Sequence, residues 1–212
     1  MTKLVIFDWD GTLFDSIGRI CTAMLRAGRQ AGVAERTHAD IQDIIGLSLD
    51  VAIHKVWPEE SDLARQQVAT LYKEFYVASD QTPPKPYPGV MEILSWLQQQ
   101  GVQIAVATGK TRRGLDRVMA LSQTQHFFAA TRCADETISK PDPLMLKEIL
   151  DELGVLPSEA IMVGDTEYDL EMAQRAGMRS VGLDYGAHST ERLWRHEPIA
   201  VLGNLMQLKE LL

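Results

Sequence analysis

The 212-residue chain is 45% hydrophobic, enough for a substantial core, and a chain of this size buries roughly 70–75% of its unfolded surface, as one domain with an insertion or as two small domains. Twenty-one Lys and Arg against 29 Asp and Glu give a net charge of −8 with no basic block, which disfavours nucleic-acid binding through phosphate contacts and means that an anionic substrate needs local positive groups or a metal. Cys21 and Cys133 stand in unrelated contexts and suggest neither a disulfide framework nor a thiol metal site; with no signal-peptide pattern and no apolar run near membrane-spanning length, a cytoplasmic protein without membrane partners is expected.

LVIFDWD reads as a buried strand ending in acids. Residues 17–32 place Ile17, Ile20, Cys21, Met24 and Leu25 at helical spacing, with Gly32 as a stop. ADIQDIIG and SLDVAIHKVW read as two shorter amphipathic helices. SDLARQQVATLYKEFYVAS reads as a longer one, with Leu71 and Phe75 on one face. The four prolines of QTPPKPYPG end that helical stretch and stiffen an extended linker.

Beyond the linker the pattern changes. VMEILSWLQQQG is a helix, QIAVAT a strand, TRRGLDRVMALSQ a helix and AATRCA a weak strand. DPLMLKEILDELG is a helix with Asp142 as its N-cap and Gly154 as its stop. AIMVGD, DLEMAQRAG and SVGLD follow as strand, helix and strand, and AVLGN is a last short strand. Strands alternating with helices predict a parallel α/β sheet, here interrupted by a helical insertion. The expected division is a core of residues 1–14 and 85–212 with a helical unit of residues 15–84, joined through Leu13–Ser16 and Thr82–Pro88.

In an extended segment, residues two apart project to one side. Asp8 and Asp10 therefore face one crevice and Trp9 the other way, at the strand end where α/β proteins bind ligands. Gly11 permits a sharp turn, and Thr12 adds a hydroxyl. Such a pair suits a divalent metal, acid–base chemistry or both; alone, it equally well caps a helix. Three later stretches bear on the choice. VATGK ends a strand with Thr108, Gly109 and Lys110, a hydroxyl and backbone N–H beside a helix start that can cradle phosphate. SKPDP fixes the direction in which Lys140 leaves the chain, since proline restricts the backbone. GDTEYD places Asp165 at a strand end and Asp169 four residues on, able to support a metal or simply to favour a helix N-terminus.

Taken jointly, DWDGTLFDS, VATGK, SKPDP and GDTEYD, in this order, resemble the haloacid dehalogenase-like (HAD) hydrolase superfamily, in particular its phosphoglycolate phosphatase-like branch. The resemblance spans essentially the whole chain. It implies a Rossmann-like parallel sheet core with an inserted all-helical (C1-type) cap. It also implies a Mg²⁺-dependent phosphatase acting on a small-molecule phosphorylated substrate. By resemblance, Asp8 is the nucleophile that forms an aspartyl-phosphate, and Asp10 the acid and then the base. Asp8, Asp165 and the backbone carbonyl of Asp10 are the metal ligands; Thr108, Gly109 and Lys140 hold the phosphate, with Thr108 and Lys140 counted among the catalytic residues. Asp169 supports Lys140 or the metal from behind.

An acid at position 10 fits phosphoryl transfer rather than halide displacement. Trp9 is bulkier than the aliphatic residue expected between the acids; it either packs in the core or narrows the pocket. Ile45-Gly46-Leu47 stands where related caps approach the site. His54, Lys55, Arg19 and Arg26 are substrate-contact candidates or solvated charges, while Cys21, Met24 and Leu25 read as cap core and Trp96 as packing between its helix and the sheet. A β-phosphoglucomutase-type mutase and a pyrophosphatase would use the same two acids. A receiver-like phosphoaspartate module is a third class, disfavoured by Asp10 and by a closing cap. The physiological substrate and the choice between monomer and homodimer are not encoded in any motif.

Overall fold

In a computed structural model, the structure describes residues 1–78 and 85–212. In chain order the elements are β1 (Leu4–Phe7), β2 (Phe14–Asp15), α1 (Ile17–Ala31), α2 (His38–Gln42), α3 (Leu49–Val56), α4 (Asp62–Ala78), β3 (Lys85–Pro86), α5 (Val90–Gln99), β4 (Gln103–Thr108), α6 (Arg112–Ser122), β5 (Ala130–Cys133), α7 (Leu144–Leu153), β6 (Ala160–Gly164), α8 (Glu167–Arg175), β7 (Arg179–Leu183), α9 (Thr190–Trp194) and β8 (Ala200–Leu202).

The main sheet has six strands in the order β5-β4-β1-β6-β7-β8, and every neighbouring pair is parallel. All four residues of β1 are buried, as expected where helices cover both faces of a parallel sheet. The faces alternate with period two. Val5, Phe7, Val106 and Val163 join α5, α6 and the C-terminal Leu205 and Leu208 in one core, while Leu4, Ile6, Ala107 and Met162 join α7 and α8 in the other. The chain leaves β1 toward β4 and β5, then returns to β6 on β1's opposite side. The carboxyl ends of β1, β4 and β6 thus meet at a topological switch point, the usual location of an α/β ligand site.

Helices α1 to α4 lie between β2 and β3 and share a further core, including Cys21, Met24, Ile41, Ile53, Trp57 and Val68, which Tyr168 and Ala187 also join. Gly32 and Gly154 follow the ends of α1 and α7. The N-cap expected at Asp142 is displaced: α7 begins at Leu144, whose N–H is accepted by Asp142 Oδ1 at 2.9 Å. ADIQDIIG is helical only over its first half, with turns after Gln42. The two segments expected to join core and insertion lie side by side, since Phe14–Asp15 pairs antiparallel with Lys85–Pro86; Thr82 to Pro84 lie outside the described residues. Trp96 packs on the margin of the first core, with Lys209 of the C-terminal segment stacked over its ring. Among the described residues, no helix is long and apolar enough to cross a membrane.

Candidate active site

Past Phe7 the backbone stays extended for one residue, and the Asp8 N–H donates to the carbonyl of Val163 at 3.0 Å. Asp8 and Asp10 line one cavity. Trp9 turns into the opposite core, fully buried and stacked on Phe14 with ring centroids 4.6 Å apart; it packs, and is not among the cavity's lining residues. The chain then reverses tightly, with the N–H groups of Leu13 and Phe14 both reaching the Trp9 carbonyl. Gly11 sits at φ +81°, where a β-carbon would lie 2.2 Å from Asp165 Oδ2. Only glycine meets both the backbone conformation and the close approach of that carboxylate.

Two other strand ends, a helix and a loop complete the cluster. Thr108 closes β4, fully buried, its hydroxyl accepting from the Lys110 N–H at 3.2 Å. Asp165 follows β6; its Oδ1 accepts from the Thr12 hydroxyl at 2.6 Å and its Oδ2 from the Ala187 N–H at 2.8 Å. Asp169, one turn into α8, accepts through Oδ2 from the N–H and hydroxyl of Thr166. Lys140 enters from the loop before α7 and is almost wholly buried. Its Nζ donates to Asp8 Oδ1 and to Asp169 Oδ1, each at 2.7 Å.

Charge in this pocket does not balance. Asp8, Asp165 and Asp169 offer oxygens within 4.8 Å of one another, while Lys140, the lysine among the described residues of this cluster, pairs with Asp8 and Asp169. Burial above all pushes the Asp8 carboxyl up, to about 7; Lys140 works against this, and the negative charges of Asp169 and Asp10 add to it. Asp165 is also raised well above the ordinary carboxylate range, by burial and then by the charges of Asp8 and Asp169. Asp8 Oδ2 is buried with no hydrogen-bond partner, a costly state for an ionised group. An all-oxygen set with excess negative charge and one unpartnered carboxylate oxygen suits a hard dication. The residues present therefore fit Mg²⁺.

Asp10 belongs to a second network. Its Oδ1 accepts from the Ser16 hydroxyl at 2.5 Å and its Oδ2 pairs with Lys110 Nζ at 2.9 Å. Lys110 also reaches the Tyr76 hydroxyl of α4 at 3.3 Å. Burial alone would lower the Lys110 ammonium, but Asp10, with Tyr76 and Tyr72 of α4, holds it above the usual lysine range. Neither Ser16 nor Tyr76 stood out in the sequence. Ser16 could have been noticed as the polar residue closing DGTLFDS, but nothing in α4 marks Tyr76.

The insertion sits directly over this site. A β-carbon on Gly109 would come within 2.6 Å of the carbonyl oxygens of both Gly46 and Leu47, so these two residues rest on the turn after β4. The Ser48 N–H donates to Ser139 Oγ at 2.9 Å and the Tyr168 hydroxyl to the Asp43 carbonyl at 2.8 Å. Arg192 clamps Asp43 and Glu167 together. Lys55 is held by Asp43 and Tyr168, Arg26 stacks on Phe75, and His54 borders a separate shallow cleft. None of Arg19, Arg26, His54 and Lys55 is among the residues described as lining the cavity, whereas Ile45, Gly46 and Leu47 are.

The description of the haloacid dehalogenase-like hydrolases matches residues 5–183, a span that contains every carboxylate and both lysines of the two networks. The chain belongs to the haloacid dehalogenase-like hydrolases. Among its relatives is a phosphoglycolate phosphatase of Vibrio vulnificus strain YJ016, 32% identical over 97% of this chain and 94% of that one. A "probable phosphatase" of Dickeya dadantii strain 3937, IndB, is also 32% identical, over 98% of this chain and 92% of its own. The crystal structure of a hydrolase from Pseudomonas syringae superposes with a TM-score of 0.89, covering 99% of this chain and 98% of that one at 22% identity, a likeness of fold.

Proposed function

We propose that this member of the family is a Mg²⁺-dependent phosphatase of small-molecule phosphate monoesters that works through a phosphorylated Asp8. The observation that carries the reading is the state of Asp8: buried, one oxygen held by Lys140, the other without a partner, in a residue that lines the cavity. The names of its phosphatase relatives support the reaction class.

Asp8 attacks phosphorus, and the bond to the leaving oxygen breaks as Asp10 gives it a proton. Asp10 then takes a proton from water, whose oxygen attacks the phospho-Asp8 phosphorus, releasing phosphate and restoring the carboxylate. Thr108 and the Gly109 N–H hold phosphate oxygens, and Lys140 bridges phosphate and nucleophile. Asp8, Asp165 and the Asp10 carbonyl would hold Mg²⁺, with Asp169 fixing Lys140 from behind. When bound, the ion offsets the charge of the phosphate and of the carboxylates. The insertion, seated on Gly109, keeps bulk water from the phospho-enzyme.

The direct test is phosphate release from a panel of monoesters with and without Mg²⁺. Absence of release from folded protein would defeat the reading, and transfer without stoichiometric phosphate would favour a mutase. Asp10→Asn is expected to lower kcat by about 10²–10⁴-fold, the range of general acid–base catalysis, and Lys110→Ala by no more than about tenfold, because Lys110 only braces Asp10. Comparable losses would remove Asp10 from the proton-transfer role.

Metal and pH are linked. The Asp8 carboxyl is pushed above its ordinary 3.8 to about 7 in the folded chain. The metal-free native state therefore holds more protons than the unfolded one, and its stability falls as pH rises across that window. Mg²⁺ replaces the proton, so it should stabilise more at about pH 8 than at about pH 5.5. At a hundredfold excess over Kd the gain is about 2.7 kcal/mol, or roughly 5–10 °C in Tm for a chain of this size. Equal thermal shifts at both pH values would contradict the linkage.

A further inference from the structure

We infer that the substrate of this chain is the phosphate ester of a bulky, largely apolar alcohol, not of a small hydroxy acid such as glycolate. The inference rests on the phosphatase reading above and concerns what occupies the space beside the phosphate.

The cavity that opens from Asp8 and Asp10 has a volume of about 800 Å³, near the upper end of the roughly 300–1,000 Å³ range of small-molecule sites. It reaches along α6 from Thr111 to Arg117, about 9 Å at a helical rise of about 1.5 Å per residue. The wall that the insertion contributes is apolar: Ile20 and Met24 one turn apart on α1, Ile45 and Leu47 from the segment seated on Gly109, and Tyr72 and Tyr76 one turn apart on α4. The two tyrosine rings lie 5.6 Å apart, tilted against each other, a surface suited to a ring or branched carbon body.

A glycolate leaving group is smaller than any one of these side chains and ends in a carboxylate that needs a positive partner close to the phosphate. Lys110, the cation nearest that point on the chain, is already paired with Asp10 and bonded to Tyr76; the other cations lining the core side, Arg113 and Arg117 of α6, stand three and seven residues further on, a rise of about 4.5 and 10 Å along the helix. The charged lining residues of the insertion, Lys73 and Glu74, are exposed and of opposite sign. A small anionic group would thus leave most of the apolar wall against water, whereas a bulky body would cover it.

The test is kcat/KM for phosphate esters of primary alcohols of similar basicity but growing size: ethyl, butyl, hexyl, 2-phenylethyl and 2-naphthylethyl phosphate, beside phosphoglycolate, all with Mg²⁺. The inference predicts a rise of up to about fourfold per buried methylene, with the largest aryl-alkyl ester at least about a hundredfold above ethyl phosphate and above phosphoglycolate. Leu49→Trp, placed on the cavity wall, should cut the ratio of naphthylethyl to ethyl phosphate by at least about fivefold. A flat series, a preference for phosphoglycolate, or an unchanged ratio in Leu49→Trp overturns the inference while leaving the phosphatase intact. Failure to hydrolyse any ester overturns the phosphatase reading itself, and the inference with it.

Discussion

Asp8→Asn is expected to lower phosphate release from every ester by at least about a thousandfold, the scale on which removal of a covalent nucleophile acts. Asparagine keeps the shape of the side chain but offers neutral oxygen and nitrogen in place of an anionic oxygen. Its effect on stability should have the opposite sign. Metal-free Asp8 is buried among Asp10, Asp165 and Asp169, and its raised carboxyl marks the penalty of ionising there. The neutral side chain escapes that penalty and leaves Lys140 paired with Asp169. Metal-free Asp8→Asn should therefore melt at or above the parent near neutral pH, and should lose much of its response to Mg²⁺. Turnover within tenfold of the parent, in protein of normal Tm, would show that Asp8 is not the nucleophile.

The alternation of β1 made Asp8 and Asp10 legible as a pair facing one crevice, because two-residue periodicity is local and the strand is short and wholly apolar. The strand–helix order from residue 90 onward was legible for the same reason, and with it the parallel sheet. That Lys140 lies with Asp8 and Asp169 follows from the order of strand ends only once the topology is known; the roles given to these residues came from resemblance. What could not be read depends on how the insertion sits on the core. Tyr76 reaches Lys110 across 34 positions, and the carbonyls of Gly46 and Leu47 meet Gly109. No periodicity encodes either contact. The four solvated or contact-forming cations suggested for the insertion illustrate the same limit: a Lys or Arg on an amphipathic helix reads alike whether it meets substrate or, as with Lys55, a carboxylate of the insertion and a phenol of the core. The β2–β3 ladder escaped notice because it has two residues on each side and includes a proline.

The placement of the two lysines gives each a separate task. Lys110 braces Asp10 from the cavity side and ties it to the insertion through Tyr76. Lys140 stands behind Asp8, wholly enclosed, and touches both Asp8 and Asp169. One lysine is therefore coupled to the proton-transferring acid and the other to the nucleophile, and loss of each should register differently: Lys110 in kcat alone, Lys140 in folding as well.

Lys140→Met tests that division. Methionine matches the length of the apolar stem but removes the ammonium, so two buried carboxylates, Asp8 and Asp169, lose their shared counter-charge. Breaking a buried pair on one side is strongly destabilising, about 3–5 kcal/mol, and metal-free Lys140→Met should show a loss of that size near pH 8 in urea denaturation. The sign of its pH dependence follows from the acids. The folded-state values of Asp8 and Asp165 already stand above the ordinary range, and without Lys140, whose pull on Asp8 is downward, the Asp8 carboxyl rises further. The variant's native state then binds protons that the unfolded chain has lost, so its stability falls with rising pH from about 4 upward. Near pH 5 the carboxyls carry those protons and the deficit against the parent should shrink by half or more. The lysine's own titration does not enter, since Asp169 and Asp8 outweigh burial and hold it above its ordinary 10.5. Activity should fall by at least about a hundredfold at either pH, since a group that stabilises charge in the transition state contributes on this scale. A deficit below about 1 kcal/mol near pH 8, or one that does not change with pH, would mean that the carboxylates are not charged in the metal-free fold. Lys140 would then serve catalysis without serving as their counter-charge.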